Sequence, residues 1–222
     1  MVESLDVDGG PQTEPPGGLQ STGTLVDDAK QQWAEITLGA LLDADWQRLH
    51  DFGGVPAPRR TWRSSLTPRF APIFFLRSAQ RLYQRGWRRL AKLCSLFNYI
   101  VFGLEVPARL AIGPGLVLPH TIGTIIGAGY VGRNVTIFQQ VTLGAKLADF
   151  AYDLAKRPHV EDDAVVAAGA KIIGPVRLGR GSTIGANAVV LEDVPAGALA
   201  VGVPAVIKDA SSNRAGLSAG LS

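Results

Sequence analysis

Residues 160–196 read VEDDAVVAAGAKIIGPVRLGRGSTIGANAVVLEDVPA. Within them Val160, Val166, Ile172, Leu178, Ile184 and Val190 stand six apart, Ala196 continues the frame, and a glycine or alanine often follows the aliphatic residue. A period of six is neither the 3.6-residue period of a helix nor the alternation of a half-buried strand. It is the period of a β-helix, whose aliphatic side chains point inward on each flat side while the small residues permit the corners. A single coil cannot bury its own apolar face, so the coils must stack. The predicted fold is therefore mainly β, a parallel β-helix of hexapeptide repeats.

The frame extends towards the N-terminus. Ile112 and Leu118 keep the spacing, and Val131, Ile137 and Leu143 resume it after a slip between His120 and Val131. The stretch 144–159 lacks the period and carries Lys146, Asp149, Asp153, Lys156 and Arg157, so it is expected to leave the coil as an extruded loop, where functional residues concentrate. Upstream, the spacing of Trp33, Ile36, Leu41, Leu42, Trp46 and Leu49 predicts an amphipathic helix from Val26 to Phe52, ended by Pro56 and Pro58. A second helical stretch from about Ala71 to Tyr99 has Gly86 as its joint, because glycine disfavours helix interiors. Four regions follow: a Gly/Pro/Ser/Thr-rich tail over 1–25 expected to be disordered, an α-helical region over 26–102, the β-helix over 103–207, and a flexible tail over 208–222.

Composition narrows the function classes. The 222 residues are 46% apolar, enough for one sizeable core, and the 26 glycines are not spaced every third residue as collagen requires. The formal charge is only +3, but Arg77, Arg81, Arg85, Arg88, Arg89 and Lys92 form a basic stripe along one helical stretch. Without aromatic interleaving of the nucleic-acid type, and interrupted by Gly86, the stripe predicts a solvated or subunit-facing surface, with neither nucleic acid nor membrane as partner. The single cysteine, Cys94, excludes an internal disulfide framework, fits a reducing compartment, and in its apolar setting is expected to be inert. The first residues carry acids rather than a positive leader, and the best apolar run, Leu93 to Leu104, is too short to span a bilayer. The expected location is the cytoplasm.

From about Arg77 to Ile207 the chain resembles the bacterial serine O-acetyltransferases of the left-handed β-helix superfamily. The resemblance rests on Gly103-Leu-Glu-Val-Pro, Ile112-Gly-Pro-Gly-Leu-Val-Leu-Pro-His120, Val141-Thr-Leu-Gly144, Gly169-Ala-Lys-Ile-Ile-Gly174, Ile184-Gly-Ala-Asn-Ala-Val-Val and Gly202-Val-Pro-Ala205, in matching order and spacing. It implies the left hand of the coil, which no spacing shows, and an acetyl-CoA-dependent O-acetyltransferase acting as a homotrimer without a metal. Acetyl transfer from a thioester to an alcohol needs a base for the hydroxyl proton, and histidine suits that task near neutral pH. His120 matches the family's catalytic histidine. Glu105, where family members commonly carry aspartate, is the candidate to fix its tautomer and stabilise the imidazolium.

By the same resemblance Gly144 lies beside the thioester, with Ala145, Ala168 and Ala186 lining the acetyl-CoA groove and Gly202 and Pro204 at its adenine end. Two departures bear on the acceptor. Pro119 stands where the family has an aspartate that holds the amino acid, and Lys156-Arg157 stands in place of an Arg-His pair that receives the substrate carboxylate. His159 is near that pair but out of register with its histidine and is a secondary candidate. Serine is thus the leading acceptor, with a sugar, polysaccharide or natural-product alcohol as alternative. The C-terminus lacks the isoleucine by which many such enzymes dock a sulfhydrylase, so that complex is not expected. Two rivals share the architecture: a non-catalytic β-helix scaffold, and a γ-class carbonic anhydrase, which needs three histidine ligands whereas this chain has three histidines in all and His50 lies outside the repeat.

Overall fold

The computed structural model describes residue 28, residues 31–149 and residues 151–209. The expectations for the tail over 1–25 and for the C-terminal tail beyond Asp209 lie outside the described residues.

The coil is built from strands of two or three residues. The first turn carries β1 (Leu104–Glu105) and β2 (Ala111–Ile112), the second β3 (Thr124–Ile126), β4 (Tyr130–Val131) and β5 (Thr136–Ile137), and the third β6 (Thr142–Gly144), β7 (His159–Val160) and β8 (Val165–Val166). The fourth holds β9 (Lys171–Ile173), β10 (Arg177–Leu178) and β11 (Thr183–Ile184), and the last holds β12 (Val189–Val190), β13 (Leu199–Val201) and the closing β14 (Val206–Lys208). The chain visits three sheets in rotation, ordered β1-β3-β6-β9-β12, β2-β4-β7-β10 and β5-β8-β11-β13-β14. Every pairing is parallel except β13 with β14, which folds back to cover the end of the third sheet. In the regular turns each residue pairs with the one eighteen positions on, as in His159 with Arg177, Val165 with Thr183 and Lys171 with Val189. Three six-residue sides therefore make one triangular turn.

The repeat residues fill the interior. Val160, Val166, Ile172, Leu178 and Ile184 are fully buried and Val190 almost so, stacked on Val131, Ile137 and Leu143 from the turns above. Because each strand contributes one inward residue, burial of this column supplies the main stabilising term and holds the register.

Two departures from the period are informative. Ala196 is exposed and does not continue the frame; the inward position passes to Val194, which bridges Leu178. The Asp193 carboxylate accepts the Arg177 amide at 2.7 Å, and this closes the corner in fewer residues. The slip near His120 lies at two corners. The inward step from Leu118 to Ile126 is eight residues and that from Ile126 to Val131 is five, so two extra residues bulge at the corner that carries His120.

Among the described residues before the coil, a helical stretch over 31–35 precedes α1 (Leu38–Phe52), and a 3-10 turn at Ser64–Leu66 precedes α2 (Ala71–Gln84) and α3 (Arg88–Phe102). The periodicity predicts one helix from Val26 to Phe52, but the chain breaks at Ile36–Thr37. Thr37 is extended, and its hydroxyl accepts the Ala40 amide at 3.2 Å, so it starts α1 as an N-cap and cannot continue a preceding helix. Gly86, at φ 83°, turns the chain between α2 and α3, and Gly103, at φ 63°, ends α3 directly before β1.

The basic stripe is not one surface, because Arg77 is wholly buried. Its guanidinium pairs with Asp45 of α1 at 2.8 and 3.0 Å and donates to the Ile112 and Gly113 carbonyls, both at 2.7 Å. Asp45 in turn accepts the Gly115 and Leu116 amides at 2.8 Å. An arginine suits this place because its fixed fork reaches a carboxylate and two carbonyls at once. The pair locks α1 and α2 onto the first turn of the coil.

Candidate active site

The order of the sheets defines the edges of the prism. Segments leaving the third sheet for the first form one edge, which carries His120, Gln139–Gln140, Ala168 and Ala186 in successive turns. Backbone bonds connect these steps: the Gln140 amide to the Ile122 carbonyl at 3.2 Å, Gly169 to Gln139 at 2.9 Å and Asn187 to Ala168 at 2.9 Å. The turn between β13 and β14, with Gly202 at φ 100° and exposed Pro204, closes the same edge. Segments leaving the first sheet for the second form another edge. That edge carries Gly144, Ala145, the loop from Ala145 to Pro158 and hence Lys156 and Arg157.

His120 is exposed at the two-residue bulge, beside half-buried Pro119. The bulge is anchored rather than loose: the Thr121 hydroxyl donates to Phe102 O at 2.8 Å, and the Gly123 and Thr124 amides both donate to Gly103 O. These bonds hold the bulge against the start of β1, which carries Glu105. Glu105 is exposed on the outer face of the first sheet, in register with Ile125, and the outward row continues through Thr142, Lys171 and Val189. Among the described residues neither His120 nor Glu105 has a side-chain hydrogen bond or ion pair. Both are therefore free to meet a ligand or each other.

Gly144 differs from most glycines of the coil. Its φ is not in the left-handed region, and a Cβ built there would meet nothing within 4 Å. The fold does not require glycine at this position, whereas an approaching ligand would benefit from it. Its carbonyl accepts the Gly174 amide at 2.8 Å, while the aliphatic stem of Lys146 crosses Gly174. Ala145 and Ala168 are half-buried and Ala186 is exposed, so small side chains line both edges where a long ligand would need close contact.

The loop is folded back onto the second turn of the coil. Arg157 is buried and donates to the Asp149 side chain, to the Asp149 carbonyl and to Gly127 O, at 3.0, 3.1 and 2.8 Å. Its guanidinium lies 3.6 Å from the Tyr152 ring centroid, and Arg109 lies 4.1 Å from the same centroid. Burial, the largest cause, pushes the Tyr152 hydroxyl up to about 12 against the opposing pull of Arg157 and Arg109, so it stays protonated and donates to Ala128 O at 2.9 Å. Lys156, by contrast, is exposed and paired at 3.5 Å with Asp153. Sequence reasoning named Arg157 but missed Asp149, Tyr152, Gly127 and Gly129 as its setting. The only mark of this setting in the sequence is Gly127-Ala-Gly129, and only the structure shows that neither glycine has a left-handed φ.

His159 lies on the second sheet beneath the loop, its Nε2–H directed at the Leu154 carbonyl at 3.1 Å. Burial, partly opposed by that carbonyl, lowers its pKa below 6.5, so the folded state holds the neutral ring. The unfolded chain takes up a proton first as pH falls through 6.5, and His159 therefore subtracts stability from there down to its folded pKa. Wild type is expected to lose more thermal stability than His159→Gln between pH 7 and 5; parallel Tm curves would refute this. The structure thus does not bring His159 together with His120: the two stand on different sheets and edges.

Among the described residues there is no cluster of three or more His, Cys, Asp or Glu placed to hold a metal, and no helix is long and apolar enough to cross a membrane.

Comparison with known proteins adds to this geometry. Residues 157–192 match the bacterial transferase hexapeptide (six repeats) family. A serine acetyltransferase of Bacillus subtilis (strain 168) is 40% identical over 134 residues, which is 60% of this chain and 60% of that protein. A serine acetyltransferase of Helicobacter pylori (strain J99 / ATCC 700824) is 36% identical over 152 residues, 68% of this chain and 87% of that protein. Among solved structures, a serine acetyltransferase in complex with CoA superposes with a TM-score of 0.66 at 28% identity, covering 83% of this chain and 74% of that one. The Neisseria gonorrhoeae serine acetyltransferase in complex with serine does so with a TM-score of 0.67 at 29% identity, covering 82% and 74%. The chain thus spans 60% of the length of its Bacillus relative. With these neighbours the fold is a left-handed parallel β-helix carrying an N-terminal helical segment.

Proposed function

The chain belongs to the serine acetyltransferase family, and from that premise we propose that it transfers the acetyl group of acetyl-CoA to the hydroxyl of a small acceptor, serine the leading candidate. The observation that carries the reading is the edge itself: exposed His120 and, beyond the Gln139–Gln140 step, the small residues Ala168, Ala186 and Gly202 share one edge that a long, narrow cosubstrate can follow. The open space beside Gly144 fits a thioester on the neighbouring edge.

In the proposed reaction His120 takes the proton of the acceptor hydroxyl as its oxygen attacks the acetyl carbonyl carbon. Glu105 orients the imidazole and stabilises its charged form. Backbone amides near Gly144 support the oxyanion, the carbon–sulfur bond breaks, and His120 returns the proton to the leaving thiolate. Gly144→Ala is expected to fold as wild type, since its Cβ meets open space, yet to raise the KM for acetyl-CoA. Unchanged kinetics would remove Gly144 from the site. The decisive test of the reading is CoA release followed with serine, sugars and amino-alcohols; background release with all of them would leave the scaffold alternative.

The trimer belongs to the same proposal. The cosubstrate positions divide between two edges of one chain, separated by the outer face of the first sheet, so facing edges of neighbouring copies would complete each site. The α3 helix supports this, because Leu93, Leu96, Ile100 and the nearby Ile122 are 51–74% exposed, an apolar surface a soluble monomer rarely shows. A monomeric mass in native solution measurements would defeat it.

A further inference from the structure

We propose that Arg157 is a positioning residue that locks the loop as a fixed wall, and that the acceptor pocket consequently does not select for a carboxylate. The inference rests on the acetyl-transfer reading above but concerns which alcohols it admits.

The guanidinium is already committed. Its Nε, Nη1 and Nη2 all donate to protein oxygens, its face is covered by Tyr152, and it is 8% exposed. Its partner Asp149 is 6% exposed in its side chain and also accepts the Asp153 amide at 2.8 Å, so one carboxylate holds both ends of the loop's last turn. To greet a substrate carboxylate, Arg157 would have to abandon this buried ion pair, and a buried charge left without its partner is strongly unfavourable.

The coil beneath is shaped for this arrangement. A Cβ at Gly127 would lie 2.8 Å from Leu143 O and 3.1 Å from Arg157 Nη1, and one at Gly129 would lie 2.9 Å from His159 Nε2 and 3.1 Å from Leu154 O. Neither glycine serves a special backbone angle: Gly127 admits the next coil turn at Leu143 and, beside it, the Arg157 guanidinium, and Gly129 admits His159 and the loop's Leu154 carbonyl. Tyr152 holds a positive φ of 60°, a strained conformation for a bulky residue that persists only where its surroundings dictate it. Its hydroxyl bond to Ala128 and its two guanidinium neighbours are those surroundings.

Of the pair at the loop's end, what remains for an acceptor's negative group is Lys156, 67% exposed and already near Asp153. An exposed, screened lysine contributes little discrimination, at most about tenfold. A buried arginine fork would contribute on the order of 10-fold to 100-fold or more. At the loop's end the acceptor is therefore read by its hydroxyl and its neutral surface.

Two measurements decide the matter. The first compares kcat/KM of the full chain for L-serine and L-serinamide with acetyl-CoA in excess. The expected ratio is below about tenfold. A larger loss with the amide overturns the proposal while leaving acetyl transfer intact, whereas no turnover of either substrate removes the acetyl-transfer reading itself. The second arm needs no turnover: hydrogen exchange at the Asp153, Lys156 and Arg157 amides in Asp149→Asn, Arg157→Lys and the double variant. Each single variant is expected to speed exchange about tenfold or more, the double no further, and saturating serine to change nothing in wild type. Exchange unchanged in the single variants, or loop amides protected by serine, overturns the fixed wall.

Discussion

His120→Ala is expected to lower kcat by on the order of 10² to 10⁴ while the protein folds as wild type. The first half follows from the role of a general base, since nothing else on that edge is a titratable group within the bulge. The second half follows from structure: the side chain is exposed and, among the described residues, bonds to nothing, so its removal leaves neither a cavity nor an orphaned partner. Turnover within a few-fold of wild type, at unchanged circular dichroism and Tm, would end the assignment of His120 as base. A collapse of both activity and fold would instead mean that the bulge depends on the imidazole.

Breaking the Arg77–Asp45 pair is expected to have the largest effect on stability. Arg77→Ala leaves a buried carboxylate without its counter-charge and two buried carbonyls without their arginine donor, and Asp45→Ala leaves a buried guanidinium without its counter-charge and two amides without their acceptor. Removing one member of a fully buried pair costs about 3–5 kcal/mol, a large part of the roughly 5–15 kcal/mol that holds a domain together. Arg77→Lys is expected to fail nearly as badly, because an ammonium cannot span Asp45 and two carbonyls in one plane. Denaturant unfolding reads the loss directly. A change below about 1 kcal/mol in either alanine variant would mean that the helical region and the coil do not depend on this joint.

The residues differ in how plainly they announce their roles. Val160 to Val190 reveal their burial because an interior column must be filled once per side, and that demand is local and strictly periodic. Ala196 misleads because a single carboxylate, Asp193, shortens the corner before it, and a hydrogen bond across turns leaves no mark in the spacing. Thr37 is an ordinary polar residue in an amphipathic pattern until its cap geometry is seen, which is why the helix expected from Val26 to Phe52 is broken. Arg77 looks like the other basic residues of its stripe; only the approach of α1 to the first coil turn supplies the carboxylate that permits its burial.

The candidate site divides along the same line. The identity of His120, Glu105, Gly144, Lys156 and Arg157 as residues of interest was legible from motif and order. Their grouping was not. The amino-acid sequence by itself determined a stacked, triangular coil with an irregular turn near His120 and an interruption before His159, because the hexapeptide period is a one-dimensional consequence of burying one side chain per face. Tertiary structure alone decided that His120 stands exposed on one edge and Gly144 on another, that Glu105 faces outward without a partner among the described residues, and that the loop spends its arginine on its own aspartate. Those outcomes depend on which groups meet within the loop and across turns, and hydrogen bonds and ion pairs, whether eight residues apart as in Arg157–Asp149 or thirty as in Arg157–Gly127, carry no period to be read.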